Sequence, residues 1–241
     1  MMRKNPLTVR GCIRRCWLFS WRAPEAAVRA LVPPPMQLVT RGGFAFWNVV
    51  VCEMAAMRPA PLPAWVGLGY WHVAYRLHVR VREAHGGDLE GLYFVRSDCD
   101  RRLVAGMGNV LTDFRFQTAQ IDVSDAGASV AGRIVAAGAD AHYGLDRTAT
   151  PSLAAGSPFA DLTEAASFLK YKPRAFSPHA ADAVNAVRVI REESAWRSRS
   201  IAVVRQEWEF FADREATLEL CTEVQPIDYQ WNRGDIVRVR P

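Results

Sequence analysis

The stretch Trp71-His72-Val73-Ala74-Tyr75-Arg76-Leu77-His78-Val79-Arg80-Val81-Arg82-Glu83 decides the fold. Trp71, Val73, Tyr75, Leu77, Val79 and Val81 share one parity, and His72, Ala74, Arg76, His78, Arg80 and Arg82 share the other. Successive side chains of a strand point to opposite faces, so this alternation predicts a half-buried antiparallel strand. Gly86-Gly87-Asp88 then turns the chain into residues 89–97, and the two runs together predict a hairpin.

Working outward, residues 43–57 are rich in β-branched and aromatic side chains (Phe44, Phe46, Trp47, Val49, Val50, Val51) and read as another strand. Residues 58–64 form a loop punctuated by proline. The aromatic run 11–21 suits a first strand. Pro24-Glu25 opens a short helix of about two turns, with proline in the first turn and an acid at the positive dipole end. Pro33-Pro34-Pro35 forbids its continuation.

Downstream, 103–116 is an apolar stretch containing glycine, and strands at 120–123 and 131–136 flank a turn. Residues 147–160 read as a loop. Asp161-Leu162-Thr163-Glu164 is a capping-box-like helix start, and Pro173 ends that helix. Residues 200–211 and 216–224 read as strands around Asp213-Arg214. Many strands with two short helices predict an α+β domain dominated by antiparallel sheet.

The chain has 241 residues, 50% apolar and 23% charged, which excludes collagen, global disorder and a disulfide-scaffold miniprotein. Net charge is +5, yet six cations and no acid fall in the first 24 residues, so the remaining 217 carry −1. The basic character belongs to one end, unlike the basic face of a dedicated nucleic-acid binder. No specific nucleic-acid partner is expected, although weak polyanion binding through that end stays open. We divide the chain into a basic N-terminal segment, 1–15, and a single domain, 16–241.

Only Lys4, Lys170 and Lys172 are lysine; the other 27 cations are arginine. Amines for Schiff-base chemistry are therefore few. Cys12, Cys16, Cys52, Cys99 and Cys221 are odd in number and scattered, which argues against a secreted disulfide framework and for reduced thiols in a cytoplasm. Cys12 and Cys16 lack the second pair or nearby histidine that a zinc site needs, so no metal is expected. The apolar run at 16–21 is too short for a signal peptide, and no stretch reads as a membrane span. Gly106 and Gly108 lack phosphate-loop spacing, and no G-x-S-x-G elbow occurs, so no nucleotide and no cofactor is expected.

Residues 18–38, Leu-Phe-Ser-Trp-Arg-Ala-Pro-Glu through Pro33-Pro34-Pro35-Met36-Gln37-Leu38, resemble the opening of acetoacetate decarboxylase and its relatives. Segments 43–59, 73–79, 91–97 and 168–171 are more similar to one branch, the YqjF-like proteins, domain of unknown function 2071. The resemblance implies a curved antiparallel β structure, partly closed into a barrel or cone around a cavity. In the decarboxylases a cavity lysine forms a Schiff base with a β-keto acid, an arginine steers the carboxylate and glutamates assist. Arg22 matches that arginine, Glu53 lies near one cavity glutamate, and His72 falls where a glutamate is common. The lysine is expected near Asp113 or Phe114, but this chain reads Val110-Leu111-Thr112-Asp113-Phe114-Arg115. The branch's Glu-x-Asn-x-Arg becomes His72, Ala74 and Arg76, so only the arginine is kept.

Two readings of each candidate stay open. Arg22 is an anion clamp, since a guanidinium grips a carboxylate bidentately, or a surface arginine at a helix start. His72, Arg76 and His78 line a titratable pocket wall or the solvent face of a sheet. Glu53 is a buried proton donor or a strand-end carboxylate. Lys170 and Lys172 suit the negative end of a helix. The expected partner is a small organic acid or carbonyl compound. It would be turned over with His72 or Glu53 moving a proton and Arg22, Arg76 and His78 binding, or bound without turnover. Assembly into a homo-oligomer is left open.

Overall fold

The computed structural model describes residues 4–240. The first half of the chain supplies strands β1 (Val9–Pro24), β2 (Gln37–Leu38), β3 (Thr40–Arg41), β4 (Phe44–Pro59), β5 (Leu68–Arg82), β6 (Asp88–Cys99) and β7 (Phe116–Thr118). Then follow β8 (Gln120–Asp125), β9 (Ser129–Val135), β10 (Ala141–Asp146), β11 (Arg174–Ala180) and β12 (Ala183–Arg191). The chain ends with β13 (Ser198–Trp208), β14 (Thr217–Val224), β15 (Ile227–Trp231) and β16 (Asp235–Arg238). The helices are α1 (Glu25–Val28), α2 (Arg102–Leu111) and α3 (Leu162–Leu169). This is the expected α+β architecture, mainly antiparallel.

The predicted hairpin is β5–β6, with Arg82 opposite Asp88. Gly86 and Gly87 take φ of +101° and +93° in its turn, values that glycine adopts without a Cβ penalty. α1 continues as a single 3-10 turn to Leu31, which gives the short helix expected at 24–31. The Asp161 side chain accepts from the Glu164 backbone N–H at 2.8 Å and so caps α3 as its sequence implied. The segment 103–116, left unassigned by its pattern, holds α2.

β1 is the hinge of the topology. One edge pairs with β4 along its full length. The other edge pairs with β15 through residues 9–13 and with β14 through 16–22. Residues 9–15 thus share one ladder with 16–24. The pairing path β1–β4–β5–β6–β11–β12–β15 returns to β1 and makes a ring. Its β6–β11 seam is parallel and spans two residue pairs. From β14 a second arm, β13–β10–β9–β8, leaves the ring.

The ring explains why β5 is buried on both faces. Val73, Tyr75 and Leu77 join Trp17, Phe19, Trp47 and Val49 in the larger core, which packs against the second arm through Ile134, Tyr143 and Trp208. Ala74 joins Cys16, Leu18, Val50, Cys52, Leu92 and Phe94 in a smaller cluster inside the ring. Fully burying one such aliphatic or aromatic side chain contributes about 1.5–3 kcal/mol. No helix of the described residues is long and apolar enough to cross a membrane.

Candidate functional site

Strand parity delivers His72, Arg76 and His78 to the inner face of the ring. Cα register places His72 between Cys52 on β4 and Cys99 on β6, and Arg76 between Asn48 and Phe94. All three are buried, at 8%, 3% and 0% exposure. The face turns to solvent only beyond them, where Arg80 and Arg82 are exposed.

Arg76 carries a buried charge without a carboxylate partner among the described residues. Its Nε donates to the Asn48 carbonyl oxygen at 3.3 Å, and its Nη2 donates to Asn48 Oδ1. The ionisable groups around it include the hydroxyls of Tyr171 and Tyr229, the thiols of Cys52 and Cys16, and the imidazoles of His72 and His78. Burial lowers its pKa, but an arginine stays charged at any physiological pH. The guanidinium lies 5.5 Å from the Tyr171 ring centroid and 5.6 Å from that of Phe94. Arg191 covers Tyr171 as well, at 4.9 Å, so two guanidinium groups lie against one phenol. Arg191 has a counterion, Glu193 at 2.9 Å, without hydrogen-bond alignment at its Nε.

His72 is neutral. Burial, and then the charge of Arg76, pushes its pKa down to about 3. Its ring stacks on Phe116 at 5.3 Å, and its Nε2 has no hydrogen-bond partner. His78 is pushed to about 3 by burial, with Lys172 and Arg76 adding to the effect, and neither of its ring nitrogens is partnered.

Two chambers meet at His72. The inner one, about 50 Å³, is lined by Arg76, Arg191, Tyr171, Trp196 and the thiols of Cys16 and Cys52, among others. The outer one, about 200 Å³, is walled by α2 (Val104, Met107, Leu111) and by Leu68, Phe114 and Phe116. His72, Phe94, Tyr229 and Trp231 line both and form a collar between them.

His78 shares the inner face but lines neither chamber, and the other candidates lie elsewhere. Glu53 belongs to the opposite parity of β4 from Cys52 and pairs with Arg15 at 2.7 Å, so the fold does not bring it to His72. Arg22 is buried against Glu219, donates to the Ala155 carbonyl oxygen at 2.7 Å, and lines neither chamber. Phe114, one of the two residues near which the lysine is expected, stacks on Phe94 at 4.3 Å. The Asp113 side chain accepts from Ser177 Oγ at 3.0 Å. Lys170 pairs with Glu193, Lys172 with Glu90, and Lys4 donates to the Asn109 carbonyl oxygen. None of the three lysines lines either chamber.

Of the basic N-terminal residues, Arg3 lies outside the described residues, Arg14 and Arg15 flank Glu53, and Arg10 donates to Gln230 at 2.7 Å. All five cysteines are free. The described residues contain no cluster of three or more potential metal ligands.

Asn48 and Arg191 were not singled out from sequence. Residues 174–191 and the turn after them gave no clear period there. The Asn48 position carried a signal: a polar residue inside the apolar run Phe46–Val51.

A ring of strands around a cavity, with a second sheet arm packed on its outside, is the acetoacetate decarboxylase-like fold. Acetoacetate decarboxylase from Legionella pneumophila subsp. pneumophila superposes with a TM-score of 0.64 at 12% identity, over 96% of this chain and 87% of that one. An acetoacetate decarboxylase-like enzyme from Sphingomonas wittichii RW1 gives 0.58 at 16% identity, over 98% and 95%. The enduracididine biosynthesis enzyme MppR complexed with pyruvate gives 0.59 at 12% identity, over 98% and 91%. The chain belongs to the DUF2071 family, uncharacterized conserved proteins, whose pattern it matches over residues 13–229. No curated protein matches it in sequence.

Proposed function

We propose that the ring, acting as a partly closed barrel, binds a small carboxylate that also bears a carbonyl group. Arg76 holds the carboxylate, and His72 is the side chain that exchanges a proton with the ligand. The observation that carries this reading is the buried guanidinium of Arg76, anchored on a neutral amide and ringed by phenols and thiols. An uncompensated buried charge is costly, and a bound anion removes that cost. A carboxylate beside His72 would also favour imidazolium and raise its pKa toward the working range of an acid or base. The pyruvate complex of MppR is consistent with a ligand of this class.

The chemistry proceeds without a lysine adduct; in support, the stretch around Asp113 and Phe114 holds no lysine, and Lys4, Lys170 and Lys172 line neither chamber. A second reading, binding without turnover, is favoured by one observation: among the described residues no Asp or Glu lines either chamber, so His72 has no acidic partner there. Free thiols suit a reducing cytoplasm.

Calorimetry with pyruvate tests the binding claim. The wild type binds, and Arg76→Met weakens binding at least about tenfold, the worth of a charge-assisted hydrogen bond. Equal affinity in the two proteins refutes it. Exchange of the pyruvate methyl protons for deuterium, followed by NMR and lost in His72→Gln, separates catalysis from binding alone.

A further inference from the structure

We infer that the ligand is an amphipathic acid: a carboxylate in the inner chamber and an unbranched apolar chain passing the collar into the outer one. This rests on the carboxylate reading above and names the substrate class.

The two chambers differ in chemistry. The inner one presents the guanidinium groups of Arg76 and Arg191. Arg76 has Nε and Nη2 engaged with Asn48, and its Nη1 makes no hydrogen bond to a described residue. That leaves the guanidinium able to receive a planar carboxylate. At about 30 Å³ per water-sized group, its volume of about 50 Å³ takes a carboxylate and little more. By the same measure the outer chamber, about 200 Å³, takes about seven such groups.

The outer walls are mostly apolar, with Val104, Leu111, Phe114 and Phe116 lining the space and Asn5, Thr112 and Asn232 adding polar groups. Arg58 lies at its edge, with its Nε donating to the Leu62 carbonyl oxygen at 2.9 Å and its Nη1 to that of Ala56 at 2.8 Å. The outer chamber therefore suits an alkyl chain. A two-carbon or three-carbon acid would leave it unfilled, whereas a chain of about six to eight carbons would occupy both.

The experiment is calorimetric titration of the full chain with acetate, butyrate, hexanoate and octanoate, alongside Val104→Trp, which fills the outer chamber. For the wild type, affinity rises about fourfold per methylene from butyrate to octanoate. In Val104→Trp, shown folded by its circular dichroism and melting curve, the rise disappears while acetate and pyruvate bind as before. A flat wild-type series with acetate and pyruvate still bound overturns the amphipathic ligand and leaves the Arg76 reading standing. So does a rise that survives Val104→Trp. Loss of pyruvate and alkanoate binding together in the wild type overturns both.

Discussion

Arg76 and Asn48 face each other across the β4–β5 ladder, and the Nε of Arg76 donates to the Asn48 carbonyl oxygen at 3.3 Å. The anchor is an amide, so it positions the guanidinium without neutralising it. Most buried arginines are paired, as Arg22 is with Glu219 and Arg96 with Asp98 in this same chain. Arg76 is held but left charged, which is the condition for taking up an anion.

Removing that charge should stabilise the empty protein. Replacing a buried charge by an apolar side chain of similar volume is often neutral or favourable. Arg76→Met is expected to gain about 1 kcal/mol and to raise Tm by about 2–4 °C while losing pyruvate binding. A melting curve shows it; a Tm lowered by a similar amount would mean the charge already has a partner.

Acid should unfold this protein early. His72 and His78 have folded pKa values near 3, far below their unfolded values near 6.5. The unfolded state therefore binds more protons between those limits, and stability is full above pH 6.5 and falls as pH drops. Asp98 works the other way: burial raises its pKa to about 6, so acidification in that range favours the fold. From pH 6.5 to 5 the two histidines cost about 3 kcal/mol and Asp98 returns about 1, a net loss of about 2. Denaturant titrations at the two pH values measure it. His78→Gln should remove about half of the histidine contribution; a pH-independent stability contradicts the account.

Arg22 and Glu219 form a structural pair. Glu219 is 1% exposed, and the Arg22 guanidinium also holds the loop at Ala155. Glu219→Gln leaves a buried charge unpaired and should cost about 3 kcal/mol, with a Tm lower by about 6–12 °C. Arg22→Lys should leave pyruvate affinity unchanged wherever the protein is folded. Loss of binding in folded Arg22→Lys would restore the anion-clamp role that its sequence position suggested.

Borohydride reduction in the presence of acetoacetate should add no mass to the protein. The amines of Lys170 and Lys172 pair with Glu193 and Glu90 outside both chambers. Intact-mass spectrometry reads the result, and a gain mapped to any lysine rejects chemistry without an adduct.

The sequence made β5 plain because period two has no helical equivalent. It did not say which way the polar parity faced. His72, Arg76 and His78 alternate with apolar residues just as a solvent face does, and only the ring closed by β15 and β12 turns them inward. Glu53 looked equivalent to them, yet it sits one residue off the inner parity of β4. The apolar, glycine-containing stretch 103–116 holds α2, although glycine is a weak helix former. The helix needs no side chain at 108, where a Cβ would overlap the Phe116 ring. Its signal was the spacing of Val104, Gly108 and Leu111, which face the outer chamber. Tyr171 and Arg191 lie far apart in sequence, and their stacking depends on long-range pairing that no local pattern encodes.

The most direct test of the central claim is a crystal structure of the wild-type protein with hexanoate. The account predicts the carboxylate within hydrogen-bond distance of Arg76 Nη1, beside His72, with the alkyl chain reaching past Phe94 and Trp231 toward Val104. A carboxylate seated on Arg22 or on Arg58, with the inner chamber filled by protein side chains, would contradict it.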